Sequence, residues 1–432
     1  MTLNTKSPIP AVSHREQFAA EHLDVTRRYF LQNGAAGIAA LSLLPWLARA
    51  DEASANEALA QAIAKLEYFT PPDKFGTVER GNPLPYTLPL DKLREVGLTR
   101  ETWRLEVVPD VENKTDVQNP LSKELGTALD WDGLMKLAEK KAVRFLKVIT
   151  CNNMGAPLGM GLWEGVPLRE VVWLAKPVRN VRRVFYDGYH NDDPKQLFRS
   201  SLPIGRVLED PPGEYPVILC YKLNGDWLSG KRGGPVRMLV PETYGFKSVK
   251  WLQRVVLTNA PFGNDTYADE NNDVDSGMKT FAKFILHPDK IKAGEVVPLT
   301  GRAQVGISGL SKVQYWLNPK GTELPADDPY FTKAAWKDAE ILPAPARWPT
   351  LSNNELPDGV NGFDPATKRP RVWPMRYALA HWATLLKDIS AGEYELRCRS
   401  IDANGIAQPM PRPFAKSGRN AIEKVSLTVA AD

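Results

Sequence analysis

The stretch ITCNNMGAPLGMGLWEGVPLREVVWLA, residues 149–175, contains the feature that decides the fold. An apolar β run, RFLKVIT (144–150), ends directly before Cys151, and a Gly-rich, polar segment follows. A thiol at the end of a strand is accessible to a ligand, whereas a thiol inside a strand packs in the core. Cys220 and Cys398 lie inside alternating strand-like runs, so they are predicted to be small buried hydrophobic residues.

Short strands and short helices are predicted on both sides of this stretch. The runs that predict them are WRLEVVP (103–109), VPLREVVWLA (166–175), RRVFYDGY (182–189), PVILCYKLNG (216–225), VRMLVP (236–241) and VKWLQRVVLT (249–258). Asp130 is the predicted N-cap of a helix that opens after it. This mixture predicts an α+β domain over residues 51–263.

The C-terminal third has a different pattern. Over residues 280–432, alternating runs such as EVVPLTGRAQV and GEYELRCRSID are separated by Pro, Gly and Asn turns, which predicts a β-sandwich. The acidic, Asn-rich stretch 264–279 is predicted to be a linker. Pro- and Trp-rich insertions at 323–385 exceed a minimal sandwich, and they either form a dimer or partner surface or simply cover long loops.

The N-terminal side of the first domain is predicted to begin with a short helix from Asp51 to Lys65, because Ala and Leu recur there at helical spacing. Pro71 and Pro72 end any helical pattern. Pro, Gly and aromatic residues alternate without a regular period over residues 69–90, which indicates an irregular segment. Segments of this kind often line functional sites.

Three further motifs follow Cys151 in a fixed order. They are LCYKLNG (219–225), the pair GPVRMLVP (234–241) and YGFKSVKWL (244–252), and RSIDANG (399–405). Together with Cys151 and the Trp-Glu-Gly-Val-Pro-Leu run at 163–168, they resemble the sulfite oxidase family of molybdopterin enzymes over residues 70–410. Several linked motifs in one order are more specific than any single one.

This resemblance implies a molybdenum–molybdopterin cofactor, with Cys151 as the protein ligand to the metal. A soft thiolate suits a metal that a pterin dithiolene also holds, and the pterin phosphate requires cations and backbone N–H groups. The resemblance also implies an immunoglobulin-like dimerisation domain over residues 280–432, and therefore a homodimer. The implied cofactor-binding residues are Cys151, Asn82, His190, Arg232, Arg237, Ser248 and Lys250, and the implied catalytic residues are Tyr221 and Arg80.

The sequence departs from the family immediately after the cysteine. Sulfite oxidases follow their Cys with arginines that neutralise the substrate, whereas Asn152, Asn153 and Met154 occupy these positions and no charge occurs before Glu164. Asn82 stands where relatives carry a His. A less cationic pocket weakens oxyanion binding. The expected substrate is a small sulfur compound. The candidates are a thiosulfate- or protein-bound sulfane, a neutral sulfoxide and another small oxyanion.

Residues 1–50 resemble a twin-arginine export signal. The pair Arg27-Arg28 precedes Tyr-Phe-Leu, an uncharged stretch runs to Ala48, and the triplet Ala48-Arg49-Ala50 suits cleavage. The alternative is an N-terminal membrane anchor. Export implies a periplasmic protein whose mature form has no membrane segment. No haem-attachment motif occurs in the sequence, so electrons are expected to leave to a separate acceptor, such as a c-type cytochrome.

Composition excludes several classes. Lys plus Arg exceeds Asp plus Glu by only 55 − 51 = 4, which makes nucleic acid a poor partner. Three cysteines cannot form a disulfide framework. Two alternatives to the oxidoreductase remain: a non-catalytic periplasmic subunit that keeps the fold as a scaffold for a cytochrome, and a cysteine-based thiol enzyme, against which the absence of a recognisable His/Asn pair counts.

Overall fold

The structure is a computed structural model and describes residues 50–351 and 354–431 of the 432-residue chain. The export signal predicted over residues 1–50 lies outside the described residues except for its last position. In the part of the chain that the structure describes, no helix is both long enough and apolar enough to cross a membrane.

The described residues form six α-helices and twenty β-strands. The helices are α1 (Ala50–Ala64), α2 (Leu90–Glu95), α3 (Trp131–Lys141), α4 (Leu168–Leu174), α5 (Ile204–Leu208) and α6 (Thr266–Asp269). The strands are β1 (Arg104–Pro109), β2 (Asp116–Val117), β3 (Leu129–Asp130), β4 (Val143–Thr150), β5 (Pro157–Pro167), β6 (Pro177–Arg179), β7 (Arg183–Gly188), β8 (Arg199–Pro203), β9 (Ile218–Leu223), β10 (Asp226–Trp227), β11 (Arg237–Leu239), β12 (Leu252–Thr258), β13 (Phe281–Leu286), β14 (Lys290–Lys292), β15 (Val297–Gln304), β16 (Lys312–Pro319), β17 (Lys337–Ile341), β18 (Leu379–Leu386), β19 (Gly392–Ile401) and β20 (Glu423–Ala430).

The first sheet has the strand order β3-β1-β12-β7-β8, in which only β1 and β12 run parallel. Helix α4 packs against its core with Leu168, Val171 and Val172, which share one helix face because they are three and four residues apart. The predicted cap of α3 is confirmed, since the Asp130 side chain accepts a hydrogen bond from the Gly133 N–H.

The second sheet contains β4, the strand that ends directly before Cys151. Its order is β10-β9-β5-β4, with β11 also paired to β9. The last six residues of β4 are all buried, so the strand ends as a fixed base for the residue that follows it. Even Lys147 is buried within β4, and its ammonium donates to the carbonyls of Pro241 at 2.6 Å and Thr243 at 3.0 Å. These bonds satisfy the charged group without a carboxylate.

The third sheet contains the eight C-terminal strands in the order β13-β15-β18-β17-β16-β19-β20-β14. It encloses its own apolar core, which includes Leu299, Trp382, Leu396 and Cys398. A curled sheet around one core is consistent with a β-sandwich. The predicted fold class is therefore confirmed: a mixed α+β region precedes a β-sandwich region.

The insertions at 323–385 bind to β4 within this chain. The carbonyl of Tyr377 accepts from the Val148 N–H at 2.7 Å, and the Asn361 N–H donates to the Arg144 carbonyl at 2.7 Å. Trp348 lies in the same apolar cluster as Val148. Part of the insertion thus covers the outer edge of β4 and braces the strand that ends at Cys151.

The stretch 264–279, predicted to be a linker, connects the two regions but is tightly packed. Asp265 and Ser276 are fully buried, and Tyr267 is 4% exposed. The Asp265 carboxylate accepts from the N–H groups of Tyr267 and Ala268 and thereby caps α6. The polar composition that suggested a linker reflects capping and turn residues, which satisfy buried backbone groups.

Candidate functional site

A pocket lies at the end of β4. It combines one thiol, several cations and an aromatic wall. Its lining residues are Phe75, Gly76, Thr77, Val78, Arg80, Ile149, Cys151, Leu158, His190, Phe198, Arg232, Arg237, Gly245, Phe246, Ser248, Val249, Lys250, Trp251 and Tyr267. Of the nine residues singled out from the sequence, seven line this one pocket; the exceptions are Asn82 and Tyr221.

Cys151 sits half-buried immediately after the last residue of β4. Its carbonyl accepts from the Met154 N–H at 3.3 Å, so the chain turns away directly behind the thiol. The next residue, Asn152, is fully buried and holds this turn, because its side-chain amide donates to the Lys416 carbonyl at 3.1 Å. Cys220 and Cys398 are fully buried in β9 and β19, as predicted.

Three basic side chains at the other end of the pocket form what we term the cation cluster: Arg232, Arg237 and Lys250. Arg232 donates to the carbonyls of Phe75 and Gly76. Arg237 donates to the carbonyls of Arg232 at 2.9 Å and Ser248 at 2.6 Å. Lys250 donates to the Thr77 hydroxyl at 2.7 Å. Among the described residues, none of these three cations has a carboxylate within ion-pair distance.

The Glu79 charge acts on Arg232 and Lys250 without a direct ion pair, and burial outweighs it. Burial, together with the charge of Arg237, lowers the pKa of Lys250 to about 7. Burial likewise lowers the pKa of Arg237 to about 10. Arg237 is 4% exposed, and its Nε has no hydrogen-bond partner. Buried cations without anions are costly, and a bound anion would remove that cost.

His190 and Ser248 line the pocket beside the cation cluster. The Nδ1 of His190 lies 2.9 Å from the Gly188 carbonyl, and burial lowers the pKa of the imidazole to about 4. A neutral ring that donates from Nδ1 leaves Nε2 as an acceptor. The Ser248 hydroxyl accepts from the Val240 N–H at 3.2 Å, which fixes the side chain.

Arg80 belongs to the thiol end of the pocket, which we define as Cys151, Arg80 and Tyr267. Its guanidinium carbon lies 3.7 Å from the centre of the Phe198 ring, a cation–π contact that fixes the side chain. Burial lowers the pKa of Arg80, while the neighbouring Tyr267 and Cys151 oppose that change. Gly81 follows with φ of +85°, and a Cβ there would lie 2.3 Å from the His190 carbonyl oxygen. The close approach that places Arg80 beside His190 therefore requires glycine.

The phenol at the thiol end is that of Tyr267, in place of the expected Tyr221. The Tyr267 hydroxyl donates to the Asn152 side-chain oxygen at 3.1 Å, and its ring stacks on Phe246 with centres 3.8 Å apart. Burial raises the pKa of Tyr267 to about 12. Tyr221 instead lies in the apolar core, and its hydroxyl donates to Glu164 at 3.1 Å.

Asn82 also lies away from the pocket lining. It is exposed, its N–H donates to the Gln196 side chain at 3.0 Å, and its carbonyl accepts from Asn191 at 3.0 Å. Sequence reasoning missed Tyr267 and the aromatic wall of Phe198, Phe246 and Trp251. The sequence does contain a signal for the helix that carries Tyr267, since Asp265, two residues before it, is a typical helix N-cap.

The residues present fit a molybdenum–pterin cofactor. Cys151 offers a single soft ligand at one end, and the cation cluster offers unneutralised charge for a phosphate at the other. The unpartnered Nε of Arg237 is a buried donor that a phosphate oxygen would satisfy. Within the described residues, no group of three or more His, Cys, Asp or Glu could hold a metal ion.

Comparison with known proteins shows what the region around this pocket is similar to. Residues 94–266 match the family model described as an oxidoreductase molybdopterin binding domain. The chain is 28% identical over 211 residues to the mitochondrial sulfite oxidase of Drosophila melanogaster, and 26% identical over 207 residues to the NADPH nitrate reductase of Emericella nidulans. These matches span 48% and 47% of this chain but only 34% and 22% of the two relatives.

Among solved structures, the sulfane dehydrogenase SoxCD from Paracoccus pantotrophus matches with a TM-score of 0.53. The match covers 76% of each chain at 17% sequence identity, so it shows a shared fold. The resemblance stated from the sequence motifs is confirmed by these comparisons.

Proposed function

We propose that the pocket binds a molybdenum–molybdopterin cofactor and that the protein oxidises a small sulfur compound by two-electron oxygen-atom transfer. The match of residues 94–266 to the molybdopterin-binding domain model supports this proposal. The observation that carries this proposal is one pocket that contains both Cys151 and the cation cluster, whose members have no carboxylate within ion-pair distance among the described residues. Other functions of the fold would not need both ends together.

Each side of the pocket has a role toward the cofactor. Cys151 would be the protein ligand to molybdenum, and the cation cluster with Ser248 would hold the pterin phosphate. His190, neutral at physiological pH, would accept a hydrogen bond through Nε2. When bound, the cofactor supplies the two-electron redox chemistry.

The thiol end binds and orients the substrate. Arg80 is charged at physiological pH and is fixed against Phe198, so it can hold a substrate oxygen by a charge-assisted hydrogen bond. Tyr267 stays protonated because burial raises its pKa to about 12, and its hydroxyl would exchange its bond to the Asn152 side-chain oxygen for one to the same substrate oxygen. The aromatic residues Phe198 and Phe246 restrict water around these groups.

We also propose the cellular setting. The twin-arginine motif at Arg27-Arg28 supports export to the periplasm. Electrons would then pass to a separate acceptor such as a c-type cytochrome, and the sandwich region would form a homodimer. Replacing both arginines with lysine should leave the protein in the cytoplasm with residues 1–50 attached; a mature periplasmic form would contradict the export assignment.

Metal content is the direct test of the cofactor. Protein purified from the periplasm should contain molybdenum by elemental analysis, and its visible absorption should change on addition of a reductant. The Cys220→Ala variant, altered at a fully buried thiol outside the pocket, should give the same spectrum. Protein that folds normally but contains neither molybdenum nor pterin would overturn the proposal.

A further inference from the structure

A segment of the sandwich region, residues 412–420, lies against the thiol end of the pocket. It is irregular and connects β19 to β20. The Arg419 N–H donates to the Asn152 carbonyl at 2.9 Å, and the Lys416 carbonyl accepts from the Asn152 side chain. Gly418 has φ of +90°, and a Cβ there would lie 2.4 Å from the Tyr244 hydroxyl. Backbone hydrogen bonds thus hold the segment in place, so its position does not depend on its side chains.

This segment brings a second cation close to the thiol end. The Lys416 ammonium lies 5.5 Å from the centre of the Tyr267 ring, which lines the pocket. The same ammonium pairs directly with the Glu270 carboxylate, one residue beyond α6. The Asn272 side chain donates to the same Glu270 oxygen at 2.8 Å and so fixes the carboxylate.

Glu270 also feels the other cation of the thiol end. Its pKa is lowered first by the hydrogen bond from Lys416, and the charge of Arg80 contributes in the same direction. The Glu270 side chain is 48% exposed and the Lys416 side chain 35% exposed, so the pair is partly open to solvent beside Tyr267 and does not belong to the core. An exposed ion pair contributes little to folding and can open when a competing anion arrives.

We infer that Glu270, by pairing with Lys416, acts as a charge filter that disfavours doubly charged substrates and selects sulfur compounds with at most one negative charge. A dianion would need both Arg80 and Lys416, and it must displace the Glu270 carboxylate to reach the second. A neutral or singly charged substrate needs Arg80 alone. This inference rests on the proposed function and names the substrate class of the same pocket.

Sulfate, an unreactive dianion, tests the filter without turnover. Its binding to the purified holoprotein is measured by calorimetric titration at low ionic strength. Glu270→Gln should bind sulfate about three- to tenfold more tightly than the wild type, because Lys416 becomes available for a charge-assisted contact. Formate, a monoanion, should show a smaller gain. Equal sulfate affinity in the variant and the wild type would overturn the inference.

The double variant Glu270→Gln/Lys416→Met tests the route of the effect. It should lose the gain in sulfate affinity, since the two residues are coupled. A gain that persists without Lys416 would overturn the inference. Glu67→Gln is the matched control, because Glu67 forms an exposed pair with Lys74 and, unlike Glu270, is not among the groups that raise the pKa of Arg80; it should bind sulfate as the wild type does.

The same preparations separate this inference from the proposed function. Molybdenum content is measured on every variant before titration. Protein without molybdenum would contradict the cofactor assignment, whereas the sulfate affinities report on Glu270 and Lys416 alone. Steady-state kinetics then compare thiosulfate with a neutral sulfoxide, and Glu270→Gln should lower KM for the dianion only.

Discussion

The two ends of the pocket differ in how their charges are balanced. Arg232 and Arg237 of the cation cluster are buried and Lys250 is partly buried. Among the described residues no member has a carboxylate within ion-pair distance, and Arg237 keeps an unpartnered donor. At the thiol end, Arg80 lies on an aromatic ring, and the nearby Lys416 is already paired with Glu270. This difference fits the proposal that one end holds a permanently bound anion and the other a substrate of low charge that enters and leaves.

Cys151 marks the thiol end, and its replacement is expected to have the largest effect. Cys151→Ser should keep the fold but lower kcat by at least about 100-fold, because a hydroxyl is a harder and less electron-donating ligand than a thiolate. The measurements are kcat, molybdenum content and the visible spectrum. Cys220→Ala is the control and should keep both kcat and the spectrum. Activity of Cys151→Ser within tenfold of the wild type would end the assignment of this residue as the ligand.

The next largest effect separates Arg80 from the cation cluster. Arg80→Gln removes one charge-assisted contact, worth about 1.5–3 kcal/mol, and should lower kcat/KM about 10- to 150-fold for an anionic substrate. The loss should be small for a neutral sulfoxide, and the bound molybdenum should not change. Equal losses for both substrates, or loss of metal, would show that Arg80 belongs functionally to the cofactor end.

The sequence could predict which residues meet in the pocket where short-range patterns carry the information. An apolar run that stops at Thr150 predicts a presented thiol at Cys151, and the alternation around Cys220 and Cys398 predicts their burial. The fold class could be predicted for the same reason: the periodicity of short segments changes near residue 280. The family resemblance then linked Arg80 and His190 to Cys151, although Arg80 and His190 are 110 positions apart in the chain.

Tyr221 and Tyr267 show why the rest could not be predicted. Alternation assigns Tyr221 to one face of β9, but it cannot tell a face that lines a pocket from one that packs in a core. Tyr267 lies in a stretch so polar that it predicts a linker. Its place depends on Phe246 and on Asn152, contacts that only the tertiary structure creates. The Glu270–Lys416 pair likewise joins residues 146 positions apart.

Tyrosine substitutions test this difference at a smaller scale. Tyr267→Phe should lower kcat/KM about tenfold, which corresponds to the loss of one hydrogen bond of about 1.4 kcal/mol in the transition state. Tyr221→Phe should leave the kinetics unchanged and lower the free energy of unfolding by about 1 kcal/mol, since it loses the bond to Glu164. The opposite pattern would restore Tyr221 as the functional tyrosine.

The remaining expected effect is a pH dependence of stability that belongs to the cation cluster. Burial lowers the pKa of Lys250 to about 7, below its ordinary value of 10.5. Between these two values the unfolded chain binds more protons than the cofactor-free folded protein, so the stability of the latter should rise with pH, by at most about 1.4 kcal/mol per pH unit. Lys250→Met should remove that part of the rise, which urea unfolding of cofactor-free protein at pH 7, 8 and 9 would measure. Bound phosphate should raise the pKa of Lys250 again, so the loaded wild type should show a weaker rise than the cofactor-free wild type. An identical pH dependence in the cofactor-free wild type and Lys250→Met would mean that Lys250 keeps its charge without an anion, and that the two ends of the pocket are electrostatically more alike than their contacts indicate.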